Sequence, residues 1–131
     1  MKKWIAVPNE KIGDIVFGMT REEVRALFDN KYSEFKKTSF SENSTDDFGD
    51  FHVYYDKNEK CEAVEVFGDI EVEMHGKKIY PETVSTLKVL IDDLEDDGYG
   101  FTSISCSIGV TINDDSDFIS GILFGTKGYY L

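Results

Sequence analysis

Apolar positions change period several times along the chain, and each change marks a new element. Asp14-Ile15-Val16-Phe17, bracketed by Gly13 and Gly18, reads as a short strand. Thr20-Arg21-Glu22-Glu23 then forms a capping box, in which the Thr20 hydroxyl and the Glu23 carboxylate accept from backbone N–H groups that a helix start leaves free. Met19 before the cap and Val24 after it can close a hydrophobic staple. Val24, Leu27 and Phe28 fall at i, i+3 and i+4, so the pattern predicts a helix from about Arg21 to Phe28. The polar stretch that follows fits a short strand near Phe35 to Phe40, and Ser41-Glu42-Asn43-Ser44-Thr45-Asp46-Asp47 reads as loop.

A meander comes next. Phe51, Val53 and Tyr55 alternate with His52 and Tyr54, and Asp56 to Lys60 turns the chain. Glu62 to Phe67 returns as a strand, Gly68-Asp69 turns again, and Ile70, Val72 and Met74 alternate with Glu71, Glu73 and His75. His75-Gly76 marks a tight turn into Lys77 to Tyr80. Val84, Leu87, Leu90, Ile91 and Leu94 make a helical stripe, so a second helix is expected from Pro81 to Leu94 or Glu95, closed by Gly98. Ile104, Cys106, Ile108, Val110 and Ile112 alternate with small or polar residues and predict one long strand. After a turn at Asn113 to Asp117, Phe118 to Phe124 returns antiparallel. The expected fold is α+β, with two helices against a mostly antiparallel sheet of about five or six strands, in one domain over residues 1–131.

Composition narrows the class of function. The chain has 131 residues, 26 acids and 14 bases, for a net charge of −12. Such a surface repels nucleic acid and anionic membrane and speeds encounter with basic partners. The two cysteines, Cys61 and Cys106, stand in apolar strand-like runs, where a thiol acts as a small buried hydrophobe. The N-terminal apolar run ends at Pro8, too short for a signal-peptide core, and no stretch approaches membrane-helix length. A reducing cytoplasm is the expected location.

Candidate chemistry is sparse. His52 and His75 lie in alternating strands with no metal or nucleophile spacing. The carboxylate runs lack calcium-loop spacing, and the glycines form neither a phosphate loop nor a nucleophile elbow. The chain is therefore expected to have no cofactor, metal or catalytic residues. Charge segregation points elsewhere. Residues 89–126 hold eight acids, Asp92, Asp93, Glu95, Asp96, Asp97, Asp114, Asp115 and Asp117, and neither Lys nor Arg. The first 88 residues carry 18 acids against 13 bases, a net of only −5. Acids at a helix C-terminus oppose its dipole, so stability alone is a poor reason to place five there. The alternatives are a solvated helix end and a docking patch for a cationic surface. In the second reading these eight acids steer a basic partner, while Tyr99 and Phe101 anchor the contact.

Gly13-Asp14-Ile15-Val16-Phe17-Gly18-Met19-Thr20-Arg21-Glu22-Glu23-Val24 resembles the opening of small bacterial proteins encoded beside polymorphic toxins. Asp47-Phe48-Gly49, Val53-Tyr54-Tyr55-Asp56 and Lys127-Gly128-Tyr129-Tyr130 are similar to the same group. The resemblance implies an immunity protein that binds and blocks a toxin domain. The Gly-Met-Thr opening also resembles a repeat of outer-membrane assembly lipoproteins and β-lactamase inhibitory proteins, from which the chain departs in lacking an export signal and their paired cysteines. A small enzyme or ligand-binding domain, or an adaptor subunit, stands as the alternative. Thr20→Ala should cost on the order of 1 kcal/mol of stability. An unchanged denaturation midpoint would show that no helix starts there.

Overall fold

The computed structural model describes residues 2–36, 43–113 and 116–131. Its elements are β1 Lys2–Val7, β2 Lys11–Ile12, β3 Ile15–Val16, α1 Arg21–Leu27, β4 Ser33–Phe35, β5 Thr45–Asp47, β6 Phe51–Tyr55, β7 Cys61–Val66, β8 Ile70–Met74, β9 Lys77–Tyr80, α2 Val84–Leu90, β10 Glu95–Asp96, β11 Gly100–Ser103, β12 Ile108–Ile112 and β13 Ile119–Gly125. The capping box forms as its residues require. The Glu23 N–H donates to the Thr20 hydroxyl and the Thr20 N–H donates to the Glu23 carboxylate, at 3.2 and 2.9 Å.

The α+β class and the two helices hold, but the sheet differs from expectation. Two sheets form, one of five strands in the order β3-β2-β1-β8-β9 and one of eight in the order β10-β11-β12-β13-β7-β6-β5-β4. The expected meander breaks after β7. β8 leaves its sequence neighbour and pairs in parallel with β1, from Lys2 opposite Ile70 to Ala6 opposite Met74. Alternation reports which side of a strand is buried, but not which strand lies beside it. The N-terminal strand β1 buries Trp4 and Ala6 while exposing Ile5. One cluster of buried side chains draws on both sheets and both helices. Trp4 meets Phe51 across the sheets at 4.8 Å between ring centroids, and Phe28 of the α1 cap meets Phe51 at 5.0 Å.

Four sequence expectations are corrected. The second helix begins at Val84, behind the N-cap Thr83, and stops at Leu90, because Ile91 is extended at φ −122 and ψ 106. Ile91 and Leu94 keep helical spacing but reach the core from non-helical backbone. Gly98 closes no helix and sits between β10 and β11 at φ +91. The expected long strand through Ile104 to Ile112 is a hairpin, since residues 104–107 turn, with Ser107 at φ +54. Cys106 lies in that turn, half-buried, while Cys61 is buried in β7. Thr45-Asp46-Asp47, read as loop, is strand β5. The expected strand near Phe35 to Phe40 begins earlier as β4, and residues 37–42 lie outside the described residues.

The loop reading failed at Asp46 for an electrostatic reason. Asp46 is fully buried, where an unpaired charge costs far more than a strand can return. Arg21 and Arg25, one helical turn apart on α1, surround it. Arg25 grips it with two prongs, Nε to Oδ2 at 2.8 Å and Nη2 to Oδ1 at 2.8 Å. Arg21 Nη1 donates to Oδ1 at 3.2 Å, and the Tyr55 hydroxyl donates to Oδ2 at 2.8 Å. The Arg21 guanidinium also lies 4.0 Å above the Tyr55 ring and binds Glu59. Burial first, and the Asp46 carboxylate second, push the Tyr55 phenol up. Asp46→Ala would strand two arginines in a dry site, so it should lower stability by about 3 kcal/mol or more. A urea midpoint close to wild type would show that the network is dispensable.

Candidate functional site

Strand register places residues of the eight-stranded sheet on two faces. One row runs Glu95, Thr102, Gly109, Leu123, Glu65, His52, Asp47, Ser33 across all eight strands. The adjacent row, from Phe101 through Val110, Ile122 and Val66 to Phe51, faces the core. The first row therefore defines the outer face.

The acids after α2 gather at one end of that face. Asp93, Glu95, Asp96 and Asp97 line a concavity of about 450 Å³ together with Thr102, Ile104 and Tyr130. Tyr99 projects from the β10–β11 turn and is 94% exposed. A second concavity, between Asp97, Tyr99, Thr111, Leu123, Glu65 and Tyr130, adjoins the first. The wall is thus acidic and aromatic.

Three of these acids have structural work that the sequence concealed, the simplest being that of Asp96, which accepts from the Gly98 N–H at 2.8 Å. Asp93 accepts from the Ser103 hydroxyl at 2.5 Å and the Ser105 N–H at 2.9 Å, closing the β11–β12 turn. Asp97 accepts from the Thr102 hydroxyl and from the N–H groups of Tyr99 and Gly100, closing the β10–β11 turn. These hydrogen bonds hold both carboxyls below the usual aspartate range, the Ser103 hydroxyl contributing most at Asp93 and the Thr102 hydroxyl at Asp97. No acid of the run lies within α2, although Asp92 directly follows its C-cap Ile91. Glu95 and Asp96 sit exposed on the short edge strand β10, and Asp92 is exposed in the turn after α2.

The remaining candidates separate. Asp117 is absent from the concavity. It accepts from the Ser85 hydroxyl and N–H at the first turn of α2, while Asp93 follows the last turn. A seven-residue helix, about 10 Å long, lies between them. Asp114 and Asp115 lie outside the described residues. Phe101 is not an exposed anchor. Its ring packs against the core, with Lys88 Nζ 4.8 Å from the centroid, because its register position faces inward.

Sequence reasoning overlooked Tyr130 and the glycines beneath it. A Cβ on Gly109 would overlap the Tyr130 phenol oxygen, and one on Gly125 would lie 2.6 Å from Tyr129. An isolated glycine inside a strand pattern is the available signal for such a close approach. Burial pushes the Tyr130 phenol up, reinforced by Tyr129, Glu65 and Asp97.

Other reactive groups stand apart. Burial pushes the Cys61 thiol up to about 12. His52 lies on the outer face between the rings of Phe35 and Phe67, at 4.9 and 4.6 Å, and 3.5 Å from Asp47. His75 occupies the exposed β8–β9 turn at φ +54. Among the described residues, no three His, Cys, Asp or Glu side chains are grouped to hold a metal ion. No described helix is long and apolar enough to cross a membrane. Comparison with protein-family models, curated proteins and solved structures finds no match to this chain.

The turn assignments are testable by titration. A lowered carboxyl pKa contributes stability above the unfolded value, and that contribution is lost as pH falls through the folded one. Ser103→Ala should therefore raise the Asp93 carboxyl pKa toward the ordinary aspartate value, read by carbon-detected NMR, and should move the loss of turn stability to higher pH. An unshifted Asp93 titration would remove the hydroxyl as its main cause.

Proposed function

We propose that this chain is a protein-binding inhibitor of the immunity type, which neutralises a toxin domain in the cytoplasm by covering a basic surface. One observation carries the proposal. Within a 38-residue window free of Lys and Arg, four acids line a concavity whose wall includes Tyr130 and whose edge presents the exposed Tyr99. Tyrosine supplies contact area at small entropic cost, and exposed acids speed the approach of a cationic partner. The family resemblance supplies the identity of the partner class. Asp93 and Asp97 hold their turns, so the acidic part of the wall is preformed before binding. Glu95 and Asp96 are the members of the wall left exposed on an edge strand, and they are assigned the steering role.

A small-molecule pocket is a weaker reading. The volume suits a ligand, but four of the seven lining residues are acids and the concavity is open to solvent rather than enclosed. Binding kinetics against a cognate toxin domain test the assignment. Glu95→Gln with Asp96→Asn should slow association about tenfold at low salt, flatten its salt dependence and leave dissociation nearly unchanged. Tyr99→Ala should mainly speed dissociation. Equal association rates at low salt would return these acids to solubility alone. Failure of the wild-type chain to protect cells from the toxin would end the immunity reading.

A further inference from the structure

The last six residues, Thr126 to Leu131, fold back over the outer face of the larger sheet. Their attachment is unlike that of any strand. Thr126 is fixed at its start, where its N–H donates to the Glu62 carbonyl at 2.8 Å and it bridges Asn9. Among the described residues, the main-chain bonds beyond Thr126 are internal, from the Tyr129 N–H to the Thr126 carbonyl and from the Leu131 N–H to the Gly128 carbonyl. What holds the segment down is a pair of rings. Tyr129 sits on Gly125 and Tyr130 on Gly109, and the two rings meet edge to face at 5.2 Å. Neither glycine adopts a left-handed conformation, so their value is the space left by a missing Cβ. The sockets are thus steric. Leu131 is 93% exposed and contributes little.

A segment held by half-buried side chains, with internal main-chain bonds, belongs to the low-stability end of a domain. Tyr130 also lines both concavities of the acidic wall and stands where they meet. We propose that Thr126–Leu131 is a strap that unseats as a unit while the sheets stay folded, and that its release joins the two concavities into one trough. The inference goes beyond the immunity reading and does not depend on it, because the strap is defined by contacts within this chain.

Carboxypeptidase A, which trims apolar and aromatic C-terminal residues, reads strap opening without any partner. In a polypeptide of residues 1–131, release of Tyr130 should proceed at a rate that stays flat across low urea concentrations, well below the global transition. Gly109→Ala fills the Tyr130 socket, so it should accelerate that release about tenfold or more while the global urea midpoint stays near that of wild type. Release of Tyr130 that rises with urea in step with global unfolding would overturn the proposal, since the strap would then open only with the domain. Equal release rates for Gly109→Ala and wild type would overturn it too. If Gly109→Ala fails to fold, the wild-type urea dependence alone decides between local and global opening.

Discussion

The buried carboxylate of Asp46 is the constraint that most of the larger sheet's edge must satisfy. A carboxylate in a dry interior is tolerated only when its lone pairs are filled and its charge is balanced. Here both oxygens are filled by Arg21, Arg25 and Tyr55. The same two arginines reach Ser44, Glu34 and Glu59, so α1, β4, β5, β6 and the β6–β7 turn share one electrostatic knot. The capping box fixes where α1 begins, and therefore the height at which Arg21 and Arg25 arrive. A local signal at Thr20 thus sets the position of a tertiary one. Such a knot adds little net stability over an apolar core of equal volume, but it penalises every alternative register of β5.

Acidity serves two purposes in this molecule. Asp93, Asp97 and Asp117 spend their oxygens on backbone N–H groups and hydroxyls at turns and at a helix start. Their negative charge follows from the need to satisfy local donors without a long side chain. Asp96 adds one such bond, from the Gly98 N–H at 2.8 Å, and among the described residues Glu95 has no comparable task. Both lie on a two-residue edge strand, where charge also discourages edge-to-edge aggregation. The docking role proposed for them is compatible with that protective one, since both require exposure.

The outer face of the larger sheet is shaped by residues that are missing a side chain. Gly109 and Gly125 admit Tyr130 and Tyr129 close to the backbone, giving the acidic concavity an aromatic wall. A steric allowance in the middle of the sheet therefore decides the form of a surface at its end. The same face carries the Phe35–His52–Phe67 cluster toward the opposite edge, so its chemistry changes from acidic to aromatic along one row of strands.

By itself the sequence determined what short-range physics can fix. The Thr20–Glu23 box specified the start of α1, because both partners lie within one turn. Alternation located β6, β7 and β8, because a pleated strand exposes its faces in turn. The acidic window is a property of composition and needed no fold to be seen. Tertiary structure decided the rest. It set β8 beside β1, buried Asp46 within reach of two arginines, ended α2 at Leu90 and turned the chain at Ile104 to Ser107. It also turned Phe101 inward and separated Asp117 from the wall of acids. For β8, Asp46 and Asp117 the deciding partner lies far away in sequence, and a pattern of single residues carries no information about which distant group will meet it.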